Sequence, residues 1–342
     1  MAIIDITTLQ NEAVKYQPEL RFYPYYILGP ELAADAIALK QVANKDVITS
    51  FERKAGIMRP YDPATMDYAD LGKAVESALT VNPIVGPLKD SIKNYQSVQL
   101  LNNPTSGDPM FNQQKKHPLE RLVVTQAIRT FSEDILFSIY GGVRNILDRT
   151  PAGGLDGYDK IIDDKITATE ISLANGNLVN TGVIASPIDA NDTSAVDALV
   201  TFVRAAHPLL KRNAILKITQ KVYQHAIDAL QNVQGNNAKQ DVNILQEYIN
   251  AKCNSNVRIR VSQAMGDGTR IVLTTPGNFD LGFNTFTDTA FVQVRNPWED
   301  PNLVQFWIQA DIGARIISVH KKVFQVNEQA ASHVSLAGDY SA

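Results

Sequence analysis

Cysteine is nearly absent from this sequence, with one residue, Cys253, among 342. A single cysteine excludes an internal disulfide framework and any zinc site built from several cysteines, which fits synthesis in the cytosol. Long apolar runs are also missing. No window approaches the roughly 18 apolar residues that cross a bilayer, and the N-terminus lacks a basic segment followed by an apolar one. We therefore expect an inert buried thiol at Cys253, no secretion and no membrane partner.

Catalytic motifs are missing as well: the sequence contains no GxGxxG after a strand, no Walker loop, no GxSxG and no HExxH. His225 and Asp228 stand at helical spacing, which is more typical of a solvated helix face than of a metal site. Asp189, Asn191 and Asp192 loosely resemble a calcium loop. Ser194, however, occupies the position where such a loop needs glycine, so helix capping explains them better. We expect no catalytic residue, no cofactor and no metal, and an α/β enzyme stays as an alternative.

Neither sign of charge dominates. The formal net charge is −4, with 20% charged and 44% hydrophobic residues, which is ordinary for a soluble globular protein. The basic residues therefore predict solvated faces, and His207, just before Pro208, predicts a cation at a helix end. The alternative is a weakly basic surface that touches phosphate without reading sequence. The residues concerned are Lys211, Arg212, Lys217, Lys221, Arg258, Arg260, Arg315, His320, Lys321 and Lys322.

What the chain does have is one long helical pattern over residues 118–141, PLERLVVTQAIRTFSEDILFSIYG. Pro118 suits the first helical position, Glu120 lies where the helix dipole favours an anion, and Gly141 with Gly142 predicts the end. Apolar residues recur at steps of three and four, which predicts one buried stripe. A helix of about two dozen residues is on the order of 36 Å long, enough to span a domain.

The segments before this helix are irregular. In residues 1–44 the cluster RFYPYYILGP carries Pro24 and Pro30, which should interrupt regular structure. We predict an extended arm that lies on its own domain or on a neighbour. Residues 45–116 contain six further prolines, and their apolar residues at strand-like intervals predict a projecting, hairpin-like arm that needs a partner to rest on. Its predicted elements are strands at 46–58 and 95–101 and a short helix near 71–79.

The segments after the helix predict an α/β domain over residues 153–283, then strands over 284–328 whose natural partner is the long helix, then a loose tail. The first helix has Asp156 as its expected cap, and Pro208 should end the second. Gly266-Asp267-Gly268 predicts a hairpin. The predicted elements are helices near 158–166, from 194, at 221–233 and at 242–251, and strands at 214–219, 256–264 and 269–275.

Several phrases of this sequence resemble the major capsid proteins of tailed bacteriophages. They are KHPLE at the start of the long helix, FSEDILFSIYGGVRN, GLDGYDKII, GNLVNTGVI, PLLKR, TTPGNFDLGFNT and NPWEDPNLVQFWIQADIGARI. Their order covers most of the chain, and it implies the α+β fold of that family. The implied regions are an N-terminal arm (1–44), an extended loop (45–116), the spine helix of a peripheral domain (117–152), an axial α/β domain (153–283), the returning peripheral sheet (284–328) and a flexible tail (329–342).

The same resemblance implies a function without enzymatic activity. The chain would be the shell protein of a tailed phage or prophage. It would assemble with itself, in the cytoplasm of a bacterial host, into hexamers and pentamers of an icosahedral head. The implied partners are a separate scaffolding protein, a portal, and double-stranded DNA held by non-specific contacts, and the implied location is the virion capsid. An encapsulin-like bacterial compartment is the alternative shell. The residues expected at contacts between subunits are Phe22, Tyr23, Tyr25, Tyr26, Phe51, Arg53, Lys54, Trp298 and Glu299.

Overall fold

The computed structural model describes residues 23–52, 73–91, 119–189, 191–234, 241–284, 292–295 and 303–333. These residues form two five-stranded sheets with helices packed on them, and one two-stranded ribbon. The helices are α1 (Tyr23–Ala34), α2 (Leu119–Gly141), α3 (Tyr158–Thr167), α4 (Ser194–Ala205), α5 (Gln220–Gln234) and α6 (Val242–Cys253). The strands are β1 (Ile37–Gln41), β2 (Lys45–Glu52), β3 (Lys73–Thr80), β4 (Asn82–Ser91), β5 (Leu178–Val179), β6 (Ala214–Ile218), β7 (Val257–Val261), β8 (Ile271–Thr274), β9 (Phe279–Asn284), β10 (Val292–Arg295), β11 (Leu303–Ile316) and β12 (Phe324–Asn327). The strand predicted at 95–101 lies outside the described residues.

Helix α1 occupies a segment that the sequence predicted to be extended. Pro24 stands at its second position, where the missing N–H costs little and the fixed φ suits a helix. Pro30 lies inside the helix, where a proline costs about 3 kcal/mol. Leu28 and Leu32, one turn apart, are buried in the core beside α2, and burying two leucines contributes roughly 3–6 kcal/mol. Packing on its own domain therefore makes this proline-containing segment helical.

Helix α2 confirms the predicted long helix. Five residues of the predicted stripe are buried, namely Ala127, Ile128, Phe131, Ile135 and Ile139. Val124, which was not part of that prediction, is buried as well. The helix ends where predicted: Gly142 still donates its N–H to Ser138 O at 2.9 Å, whereas Val143 donates to Ala152 O at 2.8 Å, outside the helix. A Cβ at residue 142 would stand 2.3 Å from Leu155 O, so only glycine allows the chain to leave the helix in this direction.

Strand β11 is the centre of the first sheet. It pairs antiparallel with β4 on one side and with β10 and β9 on the other, and β1 adds parallel to β9. Alternate residues from Val304 to Ile312 are buried in the core shared with α2. The strand prediction for 284–328 is therefore confirmed over the described residues. Strand β4, which the sequence assigned to the projecting arm, belongs to this sheet, since Ile84 and Leu88 pack into the same core.

Strands β2 and β3 form the ribbon, with Lys45 opposite Thr80 and Glu52 opposite Lys73. The predicted hairpin form is confirmed over these residues, whereas the helix predicted near 71–79 is wrong. Ser77 and Leu79 are buried and alternate with exposed neighbours, a period of two that suits a strand. Pairing with β2 satisfies the backbone of β3 and decides its structure.

The second sheet has the strand order β5-β12-β8-β6-β7 and carries α4, α5 and α6. The elements predicted at 214–219, 221–233 and 242–251 are confirmed, and α4 ends at Ala205, before Pro208. The predicted hairpin between 256–264 and 269–275 is wrong, because β6 lies between β7 and β8. Every residue of β6 is buried, so a central position with a partner on each side suits this strand.

Two local predictions also fail. Asp156 does not cap α3: Gly157 is the N-cap residue, and Asp156 Oδ1 instead accepts a hydrogen bond from Arg144 N at 2.9 Å. Residues 329–333, predicted as part of a loose tail, are held by the segment between β7 and β8, because Asp267 donates its backbone N–H to Ser332 O at 2.8 Å and Arg270 Nε donates to Gln329 O at 3.1 Å. These partners are distant in sequence, so local composition gives no sign of them.

Candidate functional site

The ribbon meets the first sheet at a group of charged and polar side chains around the buried Arg315 and Asp280, which we term the hairpin anchor. It consists of Arg315, Asp280, Lys40, Asp46 and Ser77. Arg315 comes from β11, Asp280 from β9 and Lys40 from β1, whereas Asp46 and Ser77 come from the two strands of the ribbon. The anchor therefore joins three strands of the sheet to both strands of the ribbon.

The guanidinium of Arg315 makes most of these contacts, although its side chain is almost fully buried. Its Nη2 lies 2.6 Å from Asp280 Oδ2 and 3.1 Å from Asp46 Oδ2. Its Nη1 donates to Asp46 O and Ser77 O, each at 3.3 Å. Ser77 Oγ donates in turn to Ile316 O at 2.9 Å. One side chain thus fixes both strands of the ribbon, which corrects the solvated position predicted for Arg315.

Asp280 is the buried anion of the anchor. Lys40 Nζ lies 2.8 Å from the same Oδ2 that Arg315 contacts, and Asp280 Oδ1 has no hydrogen-bond partner among the described residues. Lys40 and Arg315 together balance the carboxylates of Asp280 and Asp46, and buried charge is tolerated only when it is paired in this way. Removing Arg315 would leave a buried carboxylate without its main partner.

Two glycines let the ribbon lie close to the sheet. A Cβ on Gly313 would stand 2.0 Å from Thr80 O, and a Cβ on Gly282 would stand 2.9 Å from the side chain of Leu79. The first contact involves backbone, which has no room to adjust, whereas the Leu79 side chain is able to move. The crossing of β3 over β11 therefore depends on glycine at position 313.

The two faces of the ribbon differ in exposure. Ser77 and Leu79 point toward the sheet and are buried, whereas Val47, Thr49 and Ala78 on the opposite face are exposed, Val47 by 46%. Successive residues of a strand point to opposite faces, so this exposed side is one continuous surface, which we term the outer face. No described residue covers the outer face.

A groove of about 820 Å³ beside α2 is a second exposed apolar surface. Its walls include Pro87 of β4, Phe131 of α2, Trp307 of β11 and Ile146 from the loop after α2. Trp307 is 42% and Ile146 89% exposed. Pro83 and Pro87 remove two backbone donors from β4, which disfavours the addition of another strand at this edge. The groove therefore suits side chains better than a strand.

A polar network that the sequence did not predict lies buried between the two sheets. Lys217 of β6, predicted on a solvated face, is fully buried, donates from Nζ to Tyr140 Oη at 3.2 Å and lies 3.9 Å from the centroid of the Phe279 ring. Tyr140 Oη donates to Asp35 Oδ2 at 3.0 Å. Burial lowers the pKa of Lys217 to about 8 and raises the pKa of Tyr140. The network joins α1, α2 and β6.

Asp35 extends this network to β7. Arg260 Nε and Ser262 Oγ each donate to a different oxygen of Asp35 at 2.8 Å, and Arg260 Nη2 lies 2.6 Å from Glu31 Oε2. Arg260, also predicted on a solvated face, is therefore a partly buried ion-pair partner. Glu31 belongs to α1 and Asp35 to the turn after it, so α1 is fastened to the second sheet.

The end of the described chain provides another connection. His333 Nε2 lies 2.8 Å from Asp159 Oδ2, and Arg270 binds Asp159 Oδ1 at 3.3 Å and Asp163 Oδ1 at 2.5 Å. The His333 ring fills the space beside Gly141, where a Cβ would stand 2.5 Å from its Cγ. These contacts tie residues 329–333 to α2, α3 and the second sheet.

The residues considered as metal ligands have structural roles. His225 Nδ1 lies 3.0 Å from Ile184 O, and Asp192 accepts from Ser194 N at 2.9 Å in the turn before α4. Thr193 is the N-cap residue of α4 and its side chain makes no cap hydrogen bond, so Asp192 stabilises the turn and does not cap the helix as predicted. The described residues include no group of three or more His, Cys, Asp or Glu placed to hold a metal ion. In the same part of the chain, no helix is long and apolar enough to cross a membrane.

Two predictions about titratable groups have different outcomes. Burial, followed by the positive charge of Lys322, lowers the pKa of His207, which disagrees with the helix-end cation predicted there. Cys253 is buried as predicted, and burial raises the pKa of its thiol.

The residues predicted at subunit contacts lie in α1, in β2 and outside the described residues. Tyr23, Tyr25 and Tyr26 fall in α1 and Phe51 falls in β2, where only the backbone is described. The contacts predicted at Phe22, Arg53, Lys54, Trp298 and Glu299 lie outside the described residues.

The sequence did not predict the hairpin anchor, because Arg315 and Asp46 are 269 residues apart in sequence. Its one sequence signal is a charged residue within the apolar strand pattern ADIGARI.

Solved structures with this arrangement come from phage and GTA particles. A chain of the satellite phage P4 procapsid structure, which includes the size determination (Sid) protein, matches with a TM-score of 0.57 and 11% identity over 89% of this chain and 90% of that chain. The capsid of an empty GTA particle matches with a TM-score of 0.54 and 13% identity over 88% and 96%. The capsid of a native GTA particle matches with a TM-score of 0.50 and 13% identity over 88% and 90%. No protein-family model and no curated protein matches the sequence. The predicted α+β class is confirmed, and this chain has the fold of tailed-bacteriophage capsid proteins.

Proposed function

We propose that this chain is the major shell protein of a tailed bacteriophage or prophage, a structural protein that assembles with itself into the hexamers and pentamers of an icosahedral head. The observation that carries the proposal is the fold match, which extends over 89% of this chain and 90% of the P4 procapsid chain. The match is in fold alone. Two exposed surfaces of this chain give separate support for self-assembly.

The ribbon supports assembly because one end is fixed and one face is open. Arg315 holds its base, while Val47 and Ala78 on the outer face are exposed. An isolated two-stranded ribbon is at best marginally stable in water. A neighbouring copy lying on the outer face would bury these side chains and stabilise the ribbon.

The groove beside α2 is the second surface that we assign to a neighbouring copy. Trp307 is 42% and Ile146 89% exposed there, and large apolar side chains of this kind are enriched at the cores of protein interfaces. The contacts predicted from sequence stay part of the proposal. They are Phe22, Tyr23, Tyr25, Tyr26, Phe51, Arg53, Lys54, Trp298 and Glu299.

Further partners belong to the same proposal. They are a separate scaffolding protein, a portal, and packaged double-stranded DNA held by non-specific contacts. The proposed location is the virion capsid, with assembly in the cytoplasm of the bacterial host. The net charge of −4 is compatible with DNA contact because electrostatic fields act locally.

A shortened ribbon tests this function while leaving the anchor intact. Thr49 and Glu76 face each other in the ribbon, so an Asn-Gly turn replacing residues 50–75 should close the two strands. Asp46, Ser77 and Leu79 stay in place. We expect this variant to unfold at the same denaturant concentration as the native chain but to form no closed particles under the electron microscope.

The control separates assembly from folding. Val47→Thr keeps a β-branched side chain on the outer face, whereas Val47→Glu places a charge there. We expect particles from the first variant and none from the second, with both variants folded. Particles of native size from both Val47→Glu and the shortened ribbon would reject the role assigned to the outer face.

A further inference from the structure

Two histidines at one end of the second sheet have the same local geometry. His207 Nδ1 accepts a hydrogen bond from Leu209 N, and His320 Nδ1 accepts one from Lys322 N, each at 3.2 Å. A neutral imidazole with an accepting Nδ1 carries its proton on Nε2. Both rings are therefore held in the tautomer whose remaining nitrogen is a hydrogen-bond donor.

These neutral histidines lie beside three lysines, Lys211, Lys321 and Lys322. His207 follows α4, and His320 lies in the turn between β11 and β12, with Lys321 and Lys322 exposed beside it. Strands β6 and β12 run in the same direction on either side of β8, and Ile215 and Phe324 both pair with Thr274, so the segments that precede these strands lie at the same end of the sheet. Burial and the charges of Lys322 and Lys321 lower the pKa of His207. Lys211 donates its backbone N–H to His207 O at 3.2 Å. We term His207, Lys211, His320, Lys321 and Lys322 the cationic end.

The position of one lysine of the cationic end, Lys211, is explained by a contact with the end of a helix. Lys211 Nζ donates to Arg204 O at 2.7 Å, in the last turn of α4, where the helix dipole favours a cation. Lys321 and Lys322 lie in a turn between strands, and none of the ion pairs among the described residues includes either of them. The cationic end thus collects donors and positive charge that the described part of the chain does not neutralise.

We propose that the cationic end contacts the phosphate backbone of double-stranded nucleic acid and marks the end of the second sheet that faces packaged DNA. The inference rests on the proposed function and adds the surface that meets the DNA. Lysine ammonium groups and imidazole N–H donors suit phosphate oxygens and make no base-specific pattern, so the contact depends on charge and not on sequence. A phosphate placed here also relieves the repulsion among the cations.

Binding of a labelled DNA duplex to the purified full-length protein, measured by fluorescence anisotropy over a series of NaCl concentrations, tests this inference. Each lost phosphate contact should reduce the slope of log K against log salt by about 0.9. We expect Lys321→Glu with Lys322→Glu to reduce the slope by about 1.8 and to weaken binding to two unrelated duplex sequences equally. Lys321→Gln with Lys322→Gln, a milder change, should give the same direction of effect.

The matched control reverses two exposed cations elsewhere. Lys221 lies at the start of α5, near the opposite end of β6, and Arg129 lies on α2, so Lys221→Glu with Arg129→Glu makes the same change of net charge. The control should keep the native slope. An equal loss of slope in the control, no loss in either Lys321/Lys322 variant, or competition by polyglutamate as effective as by DNA would overturn the inference.

Electron microscopy of the same samples separates this inference from the proposed function. Native particles from the Lys321/Lys322 variants with an unchanged salt slope would overturn the DNA contact and leave the shell function standing. The absence of particles from the native chain would reject the shell function, whatever the result with DNA. Urea unfolding of the glutamine variants shows whether a lost slope comes from lost folding, and a native unfolding curve with a reduced slope supports the contact.

Discussion

Arg315 Nη2 lies 2.6 Å from Asp280 Oδ2 and 3.1 Å from Asp46 Oδ2, so one buried guanidinium holds a strand of the core sheet and a strand of the ribbon. Arg315 and Asp46 are 269 residues apart in sequence. The position of the ribbon, on which the proposed assembly depends, is therefore set by tertiary contacts of the folded subunit.

Replacing Arg315 should destabilise the subunit strongly. Arg315→Met keeps an apolar stem but leaves Asp280 buried without its main partner, and breaking a buried ion pair costs about 3–5 kcal/mol. Urea unfolding monitored by circular dichroism measures the loss. The double variant Arg315→Met with Asp280→Asn removes both charges and should recover part of the stability. Equal stability of Arg315→Met and the native chain would show that the ion pair contributes nothing.

Adding one methyl group at Gly313 should displace the ribbon. In Gly313→Ala the new Cβ meets Thr80 O at 2.0 Å in the present geometry, so backbone has to move. Gly282→Ala is the matched control, because its new Cβ meets the flexible end of Leu79. We expect faster limited proteolysis between β2 and β3 and loss of particles for Gly313→Ala, with a smaller effect for Gly282→Ala. Indistinguishable behaviour of the two variants would contradict the close crossing of β3 over β11.

The buried amine of Lys217 should make stability rise with pH above 8. Burial lowers the pKa of Lys217 from 10.5 to about 8, so in this range the unfolded chain binds the proton more readily than the folded chain. Raising the pH removes this preferential proton binding by the unfolded chain. We therefore expect the free energy of unfolding to rise by roughly 1–2 kcal/mol between about pH 8 and 9.5. Above that range, Tyr140 and Tyr158 act in the opposite direction, because burial raises the pKa of both.

Lys217→Met provides the comparison for this pH dependence. The variant keeps a long side chain beside Phe279 and removes the titrating amine. Urea unfolding at several pH values between about 8 and 9.5 should show the rise in the native chain and a flatter profile in the variant. An identical profile in both proteins would show that a titratable group other than Lys217 causes the pH dependence of stability.

Replacing Pro30 should stabilise the protein. Pro30 is exposed inside α1, so alanine restores a helical N–H without opening a cavity. An interior proline destabilises a helix by about 3 kcal/mol. Alanine gives the unfolded chain more conformational freedom, which favours unfolding by about 1 kcal/mol and offsets part of this stabilisation. We expect Pro30→Ala to raise the free energy of unfolding by about 1–2 kcal/mol. A loss of stability would mean that proline is accommodated in α1 without strain.

Local patterns in the sequence predicted the elements whose structure is decided locally. The stripe of α2 and the alternation in β11 are visible in the sequence because each element buries one face with its own period. The sequence did not predict helix α1, because Pro24 and Pro30 indicate an extended segment. Packing on α2 stabilises a helix there instead. Strand β3 was missed because its pairing with β2, and not its own composition, decides its structure.

The charged sites required contacts that the sequence does not show. Lys217 stands in the apolar run AILKIT and Arg315 in ADIGARI, so each was visible as a charge within a strand pattern. Their burial depends on partners brought together by the fold: Tyr140 and Phe279 for Lys217, and Asp280 with Asp46 for Arg315. The fold class was predictable from the order of phrases along the chain, whereas these side-chain partners were not.

Self-assembly is the central claim, and electron microscopy of the purified full-length chain, with light scattering on the same sample, tests it most directly. We expect closed particles of uniform diameter whose surface shows capsomers with sixfold and fivefold symmetry. A compact monomer that persists at high protein concentration, without hexamers, pentamers or shells, would contradict the claim.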